Sequence, residues 1–198
     1  MIPKKDTEQK KSLLRDFLEL VRFTLLVLVI VIPLRMFVAQ PFIVNGDSMN
    51  PTFANGDYLI IDEISYTRSN PSRGDVIVFR LPSNKKRFLI KRVVGLPGET
   101  VVINGSKISI TKTNKTTVQL DENYLNEDFS SYGTWNLAED EYFVMGDNRN
   151  NSSDSRSWGI LNREFIVGKT FLRLFPFTTL SYTPGEFQTS DIEIALPQ

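Results

Sequence analysis

The sequence predicts a mainly β protein, with a single N-terminal transmembrane helix followed by an all-β domain of antiparallel sheets that carries a small β insertion. Two observations support this fold class. An apolar segment with helical periodicity precedes residue 40. After residue 40 the chain consists of short runs rich in β-branched and aromatic residues, separated by Gly, Pro, Asn and Asp. We therefore expect one helix followed by folded antiparallel sheets.

The N-terminal part divides into a charged segment and an apolar one. Residues 1–22 carry six basic residues and have apolar side chains at helical spacing in their second half. Residues 23–39 are nearly all apolar, and about 17 residues is the lower limit for a membrane span. No Lys or Arg lies between Arg35 and Arg68. The positive-inside rule therefore predicts a cytoplasmic segment 1–22, a single-pass anchor 23–39 in the cell membrane, and an extracytoplasmic domain 40–198.

Two alternatives to an uncleaved anchor remain open for this segment. A buried core helix is one, because Arg35 within a span is costly unless its side chain reaches the membrane interface. A cleavable leader is the other, although Gln40-Pro41 offers no small residue next to a processing site.

The remaining elements are expected to be short strands. The predicted strands are 42–44, 58–61, 76–79, 88–94, 101–103, 108–110, 142–145 and 169–175. Asn104-Gly105 is a typical hairpin turn. Residues 104–141 are more polar than the rest of the domain, and they are predicted to form the small insertion on the main sheet.

Composition restricts the chemistry. Among 198 residues there is no histidine and no cysteine, which excludes a Ser-His-Asp triad, a thiol nucleophile, and metal sites built on imidazole or thiolate. A general base must therefore be a carboxylate, a tyrosinate or a lysine with a lowered pKa. The 23 basic and 23 acidic residues balance, so no basic field is available for nucleic acid. We expect no cofactor, no metal and no nucleic-acid partner.

Ser48 lies in a glycine-flanked turn and is a candidate nucleophile. A serine in such a turn usually bonds only to its own backbone. Gly46, however, permits an unusual backbone conformation or a close approach by another chain, and Pro51 stiffens the turn. A turn of this kind suits a nucleophile whose own backbone N–H points at a developing oxyanion.

Lys91 is the candidate general base. Side chains alternate along a strand, so Lys91 shares a face with Leu89 and Val93, which are apolar. Burial on that face would lower the pKa of the amine toward neutrality. The alternative is a solvated basic strand, because residues 85–87 are all basic.

The third candidate stretch is the polar segment 146–159. It combines hydroxyl groups, carboxylates and guanidinium groups between an apolar strand and Trp158-Gly159. It is either a solvated loop or an ordered hydrogen-bonded network, in which a hydroxyl group orients Lys91 and an Asp-Arg pair braces the loop.

These motifs, taken in order, resemble those of the type I signal peptidase family, serine peptidases with a Ser/Lys dyad. Residues 46–52 resemble its serine box, residues 73–79 with 91–99 its lysine box, and residues 146–159 its C-terminal box. The resemblance extends over about residues 40–177 and includes the anchor. It implies a membrane-bound serine endopeptidase that removes signal peptides from exported preproteins after small residues.

Roles follow from the resemblance position by position. Ser48 matches the nucleophile, with its backbone N–H as oxyanion donor, and Lys91 matches the general base. The supporting residues are Ser152, which matches the serine that positions the lysine, and two ion pairs, Asp147 with Arg92 and Asp154 with Arg156. Gly46 departs from members that have a serine hydroxyl there as a second oxyanion donor. Asn150 stands where the family often has Asp, and we expect it to alter the loop network.

The expected partners are signal-peptide-bearing preproteins and the lipid bilayer, without an obligate protein subunit. Two other functions remain possible at this stage. One is a specialised Ser/Lys maturation peptidase for a single target such as a pilin. The other is a non-enzymatic, membrane-anchored β-domain, which requires Lys91 to be exposed and distant from Ser48.

Overall fold

The structure, a computed structural model, describes residues 5–33, 40–125, 127–187 and 193–195. The chain divides into two compact units, Met1–Ala39 and Gln40–Gln198. The division coincides with the sequence boundary between helical periodicity and strand periodicity.

In the first unit, the described residues form the helix α1, which spans Lys5–Pro33. This helix agrees with the helical spacing of the apolar side chains. The side chains of residues 23–31 are apolar except for Thr24, and all of them are exposed. Residues 34–39, the end of the predicted anchor, lie outside the described residues. Within the described part of the chain, no helix reaches the length and hydropathy that a membrane span requires.

The described residues of the second unit form thirteen strands and two short helices. The strands are β1 Gln40–Ile43, β2 Tyr58–Asp62, β3 Val76–Leu81, β4 Asn84–Gly95, β5 Thr100–Gly105, β6 Lys107–Thr111, β7 Thr117–Leu120, β8 Ser131–Asn136, β9 Glu141–Met145, β10 Leu161–Asn162, β11 Ile166–Phe175, β12 Ser181–Tyr182 and β13 Glu193–Ala195. The helices are α2 Ser65–Arg68 and α3 Ser155–Trp158, with 3-10 turns at Arg149–Asn151, Arg163–Phe165 and Phe177–Thr179. The mainly β fold class is confirmed, and each of the eight predicted strands overlaps an observed strand.

The main sheet is antiparallel and has the order β1-β2-β11-β3-β4-β9-β10, with β12 paired to β11. Strand β4 lies inside this sheet, between β3 and β9. Its register places Lys91 opposite Ile77 and Arg92 opposite Val76. An internal strand has neighbours on both sides, so its side chains are more deeply buried than those of an edge strand.

The second sheet is antiparallel and has the order β13-β7-β6-β5-β8. It begins at Thr100, slightly before the predicted insertion 104–141. The predicted turn is displaced by one residue: Asn104 still pairs with Lys107, and Gly105, with φ +67°, and Ser106 form the loop. Strands β7, β8 and β13 were not predicted, because polar residues interrupt their apolar pattern.

Three hydrophobic clusters form the core of the second unit. One joins the second sheet to the main sheet and includes Ile103 and Ile110 together with Val94 and Phe143. The other two are built on the main sheet, one around Phe79 and Val93 and one around Met49 and other residues of the first strands. Val93 and Val94, neighbours on β4, belong to different clusters. The alternation predicted for this strand is therefore observed.

Candidate active site

The turn that carries Ser48 is anchored by buried side chains. Met49 and Phe53 are both 0% exposed, and the Phe53 backbone N–H donates to the Met49 carbonyl over 2.8 Å. Gly46 has φ +93°, and its N–H donates to Asn55 Oδ1 over 2.9 Å. Ser48 itself is half-buried. The buried side chains of Met49 and Phe53 thus fix the turn in the core, while the hydroxyl group of Ser48 stays accessible.

Lys91 reaches Ser48 from strand β4. Its Nζ donates to Ser48 Oγ over 2.6 Å and to the Ile90 carbonyl over 2.8 Å. The side chain of Lys91 is only 2% exposed. The first five residues of β4 are exposed and the last five are buried, so the hypothesis of a solvated strand holds only for its first half. The non-enzymatic hypothesis, which required an exposed Lys91 distant from Ser48, is wrong.

The environment of Lys91 favours the neutral amine. Burial lowers the pKa of Lys91 to about 8, because charge is poorly solvated in the interior. The carboxylates of Asp154 and Asp147 oppose this shift, and the guanidinium group of Arg87 adds to it. With a pKa near 8, about a tenth of the amine is neutral at pH 7 and able to accept a proton.

The backbone N–H of Ser48 is available as a hydrogen-bond donor. No acceptor among the described residues pairs with it. Gly46 has open space where a side chain would project, with no atom within 4 Å of an added Cβ. Gly46 therefore supplies no side-chain hydroxyl group as a second oxyanion donor.

Two cavities open onto the dyad, and Ser48 and Lys91 line both of them. The smaller has a volume of about 80 Å³ and apolar walls that include Leu59, Val78 and Ile90. The larger has a volume of about 470 Å³ and extends to the polar segment 146–159 and to the hairpin between β3 and β4. The dyad therefore lies between an apolar pocket and a more polar cleft.

The polar segment 146–159 is an ordered network that contacts the nucleophile. The Asn148 backbone N–H donates to the Ser48 carbonyl over 3.0 Å. A Cβ added to Gly146 would lie 2.4 Å from the same carbonyl, so only glycine allows the two backbones to come this close. The hypothesis of a solvated loop is wrong for this part of the segment.

Asp154 and Arg156 form the predicted ion pair within this segment. Two hydrogen bonds of 2.8 and 2.7 Å join them, and Asp154 also accepts the Gly146 N–H over 3.0 Å. Burial alone would raise the pKa of Asp154, but the bonds and charge of Arg156 lower it below its ordinary value. The carboxylate thus stays ionised and braces the loop beside the dyad.

Ser152 lies in the same network, next to Gly146. A Cβ added to Gly146 would lie 2.2 Å from Ser152 Oγ. That oxygen is buried, and no atom of the described residues meets the distance and angle limits of a hydrogen bond with it. It still contributes to the lowered pKa of Asp154. The structure gives no hydrogen bond between Ser152 and Lys91, whose Nζ donates to Ser48 and Ile90.

Arg92 and Asp147 tie the serine turn to the lysine strand. Their two hydrogen bonds measure 2.8 and 2.6 Å, and both side chains are fully buried. Thr52, at the end of the serine turn, donates its hydroxyl to Asp147 over 2.5 Å. The predicted pair is therefore present, and it joins β4, the polar segment and the serine turn at one point.

Two further buried pairs were not predicted from the sequence. Arg149 donates to Glu122 over 2.7 and 2.5 Å, and Arg73 to Glu99 over 2.9 and 2.7 Å. No local pattern reveals such partners, because each pair joins residues more than twenty positions apart. Asn150, the departure noted above, donates to the Asp128 carbonyl over 3.1 Å.

Comparison with known proteins identifies the family of this chain. The model of the family "Signal peptidase, peptidase S26" matches residues 17–175. A probable signal peptidase I-2 of Synechocystis is 34% identical, over 96% of this chain and 89% of that protein. Signal peptidase I of Leptolyngbya laminosa is 39% identical, over 77% of this chain and 76% of that protein. A crystal structure of a signal peptidase I from Enterococcus faecalis V583 is 33% identical, with a TM-score of 0.44, and covers 51% of this chain and 97% of that chain.

Proposed function

Since this chain belongs to the peptidase S26 family of signal peptidases, we propose that Ser48 is its nucleophile and Lys91 its general base. The family assignment makes the protein a serine endopeptidase that removes signal peptides from preproteins. The observation that supports the assignment of the dyad is the 2.6 Å contact between Lys91 Nζ and Ser48 Oγ, made by a buried amine.

The proposed reaction is acyl transfer in two halves. Neutral Lys91 takes the proton of Ser48 Oγ while the oxygen attacks the carbonyl carbon of the scissile bond. The Ser48 backbone N–H donates to the oxyanion of the tetrahedral intermediate. The C–N bond then breaks, and the Lys91 ammonium group returns its proton to the leaving amine. Water attacks the acyl-enzyme with Lys91 again as base, which releases the signal peptide and restores Ser48.

The supporting residues hold the dyad in place and do not themselves transfer protons. Asp147 and Arg92 fix the serine turn against β4, and Asp154 with Arg156 keeps segment 146–159 in place. Ser152 lies against Gly146, close to the backbone of the nucleophile. Its proposed role is to hold the surroundings of the dyad in place.

The apolar cavity beside the dyad suits the residue before the scissile bond. Its volume of about 80 Å³ matches a small side chain rather than a bulky one. Small residues at that position are what the family resemblance implies. The cavity thus provides a physical reason for selection by size.

We also propose that residues 23–39 anchor the enzyme in the cell membrane as a single-pass segment, with segment 1–22 in the cytoplasm and domain 40–198 outside. The support is the run of exposed apolar side chains in α1 and the basic residues that precede it. Its partners are then the bilayer and the preproteins.

Substitution of the dyad tests the assignment. Ser48→Ala and Lys91→Ala should each reduce cleavage of a purified preprotein by about 10⁴-fold or more, as loss of a nucleophile or its base does in other serine peptidases. Ser106→Ala and Lys86→Ala are matched controls, because both residues are exposed and neither lines a cavity at the dyad. Substantial residual activity in either dyad variant would contradict the proposal.

A panel of unrelated preproteins tests the alternative of a single-target maturation peptidase. Cleavage of several unrelated substrates at comparable kcat/KM supports the general enzyme. Cleavage of one substrate alone would favour the specialised function.

A further inference from the structure

Arg87 shares one strand face with the general base. Residues 87, 89 and 91 alternate along β4 with residues that point the other way. Arg87, Leu89 and Lys91 all line the larger cavity, which Ser48 also lines. The guanidinium group is close enough to Lys91 for its charge to act on the amine.

The charge of Arg87 is not neutralised within the described part of the protein. No carboxylate lies within 4.0 Å of its side chain, and no hydrogen bond occupies it. Asp47 is the one acidic residue that lines the same cavity, and it makes no ion pair with Arg87. By contrast, Lys85 lies over the ring of Phe165 at 5.3 Å. Apart from Lys91 of the dyad, Arg87 is therefore the cation among the residues that line this cleft.

The position of the cleft determines which part of the substrate it holds. The small apolar cavity suits the residue before the scissile bond, so the chain after that bond continues into the larger cavity. From Lys91 to Arg87 is four residues of strand, or about 13 Å. An extended substrate covers this length with about four residues after the scissile bond.

Resting on the proposed function, we propose that Arg87 is a specificity-determining residue that favours preproteins with an Asp or Glu side chain among the first four residues of the mature protein. A carboxylate there would form a hydrogen-bonded ion pair with the guanidinium group. Arg87 is exposed, so the pair is partly screened by water and salt. The expected preference is about two- to five-fold, in line with partly exposed ion pairs.

Matched peptides measure this preference directly. Each peptide has the same signal-peptide end, and each pair differs only by Asp or Asn at one of the four positions after the scissile bond. The ratio of kcat/KM values, Asp over Asn, is measured with wild type, Arg87→Gln, Arg87→Glu and the control Lys86→Gln. Lys86 is exposed and does not line the cavity.

We expect a ratio of about two to five in wild type and Lys86→Gln at one position or more. Arg87→Gln should bring it to about one, and Arg87→Glu below one. A change in the pKa of Lys91 affects both peptides of a pair equally and cancels in the ratio. The preference should also weaken as salt is raised.

Two failures are distinguishable. The role of Arg87 is overturned if wild type cleaves efficiently but has the same Asp-over-Asn ratio as Arg87→Gln. It is also overturned if Arg87→Gln and Lys86→Gln lower that ratio equally. Either result leaves the proposed function intact. Failure of wild type to cleave any peptide or preprotein overturns the proposed function, and the role of Arg87 with it.

Discussion

The protonation state of Lys91 is the residue property on which the proposed mechanism depends most directly. Only the neutral amine can accept the proton of Ser48. Burial lowers the pKa of Lys91 to about 8, so the protonated form dominates below that pH and the neutral form above it. We therefore expect kcat/KM for a peptide substrate to rise with pH, with a midpoint near 8, when measured from pH 6 to 10. A profile that is flat over this range would argue against a titrating lysine.

The same shift affects stability. The unfolded chain holds the proton of this lysine up to its ordinary pKa of 10.5, whereas the folded protein releases it near 8. Between those values the unfolded state binds more protons, so the contribution of Lys91 to the free energy of unfolding rises with pH. Well below pH 8 the folded protein also carries the charged amine, and the full free-energy cost of burying that charge lowers the free energy of unfolding. The site thus sacrifices some stability for a usable base.

Gly146 is the residue whose replacement should disturb the dyad although neither Ser48 nor Lys91 is itself substituted. A Cβ at this position would lie 2.2 Å from Ser152 Oγ and 2.4 Å from the Ser48 carbonyl oxygen. Gly146→Ala should therefore displace the serine turn, lower kcat/KM by about 100-fold or more, and reduce the free energy of unfolding by about 1–3 kcal/mol.

Gly105→Ala is the control for this variant. Gly105 has φ +67°, but a Cβ there meets no atom within 4 Å, so it introduces backbone strain without a clash. It should reduce stability by about 1 kcal/mol and leave kcat/KM unchanged. If Gly146→Ala retained full activity, the close contact between the two backbones would have no role in placing Ser48.

Strand β4 combines two environments within a single element. Its first half is exposed and basic and presents Arg87 to the cleft, whereas its second half is buried and carries Lys91 and Arg92. Arg92 is held by Asp147, and Asp147 also accepts from Thr52 of the serine turn. Removal of the carboxylate would leave a buried guanidinium group without its partner.

Asp147→Ala should therefore reduce the free energy of unfolding by about 3–5 kcal/mol, the usual cost of breaking a buried ion pair. Urea denaturation monitored by tryptophan fluorescence measures this change. Glu186→Ala is the matched control, because its 3.6 Å contact with Lys169 is partly exposed and should contribute less than about 1 kcal/mol. Equal effects of the two substitutions would show that Asp147 is not an essential brace.

At the scale of the molecule, the two compact units predict separable functions. The second unit contains all three hydrophobic clusters and every residue of the candidate site. A chain of residues 40–198 should therefore fold, show a cooperative thermal transition and cleave a short peptide. The full chain should stay with membranes after an alkaline carbonate wash, whereas residues 40–198 should be released.

The truncated chain should also cleave membrane-inserted preproteins more slowly than the full chain does, because it must find them from solution. Release of both proteins by the carbonate wash would contradict the anchor. Absence of a cooperative transition in residues 40–198 would instead contradict the independence of the second unit.

The sequence by itself determined the class of fold and the type of chemistry. Periodicity located the strands with strong β-branched patterns, because the alternation of side chains across a sheet is a local property. The absence of histidine and cysteine restricted the base to very few residue types, and the family motifs identified Ser48 and Lys91. Periodicity did not predict strands such as β8, Ser131–Asn136, because every second side chain of this strand is exposed and the others are only half-buried.

Only the tertiary structure decided which distant residues meet. Ser48 and Lys91 are 43 positions apart, and their 2.6 Å contact depends on how the serine turn packs against β4. The pairing of Arg149 with Glu122 likewise joins separate segments. Burial, which lowers the pKa of Lys91, is produced by the whole core rather than by neighbours in sequence. These quantities are set by long-range packing, and local residue patterns do not encode it.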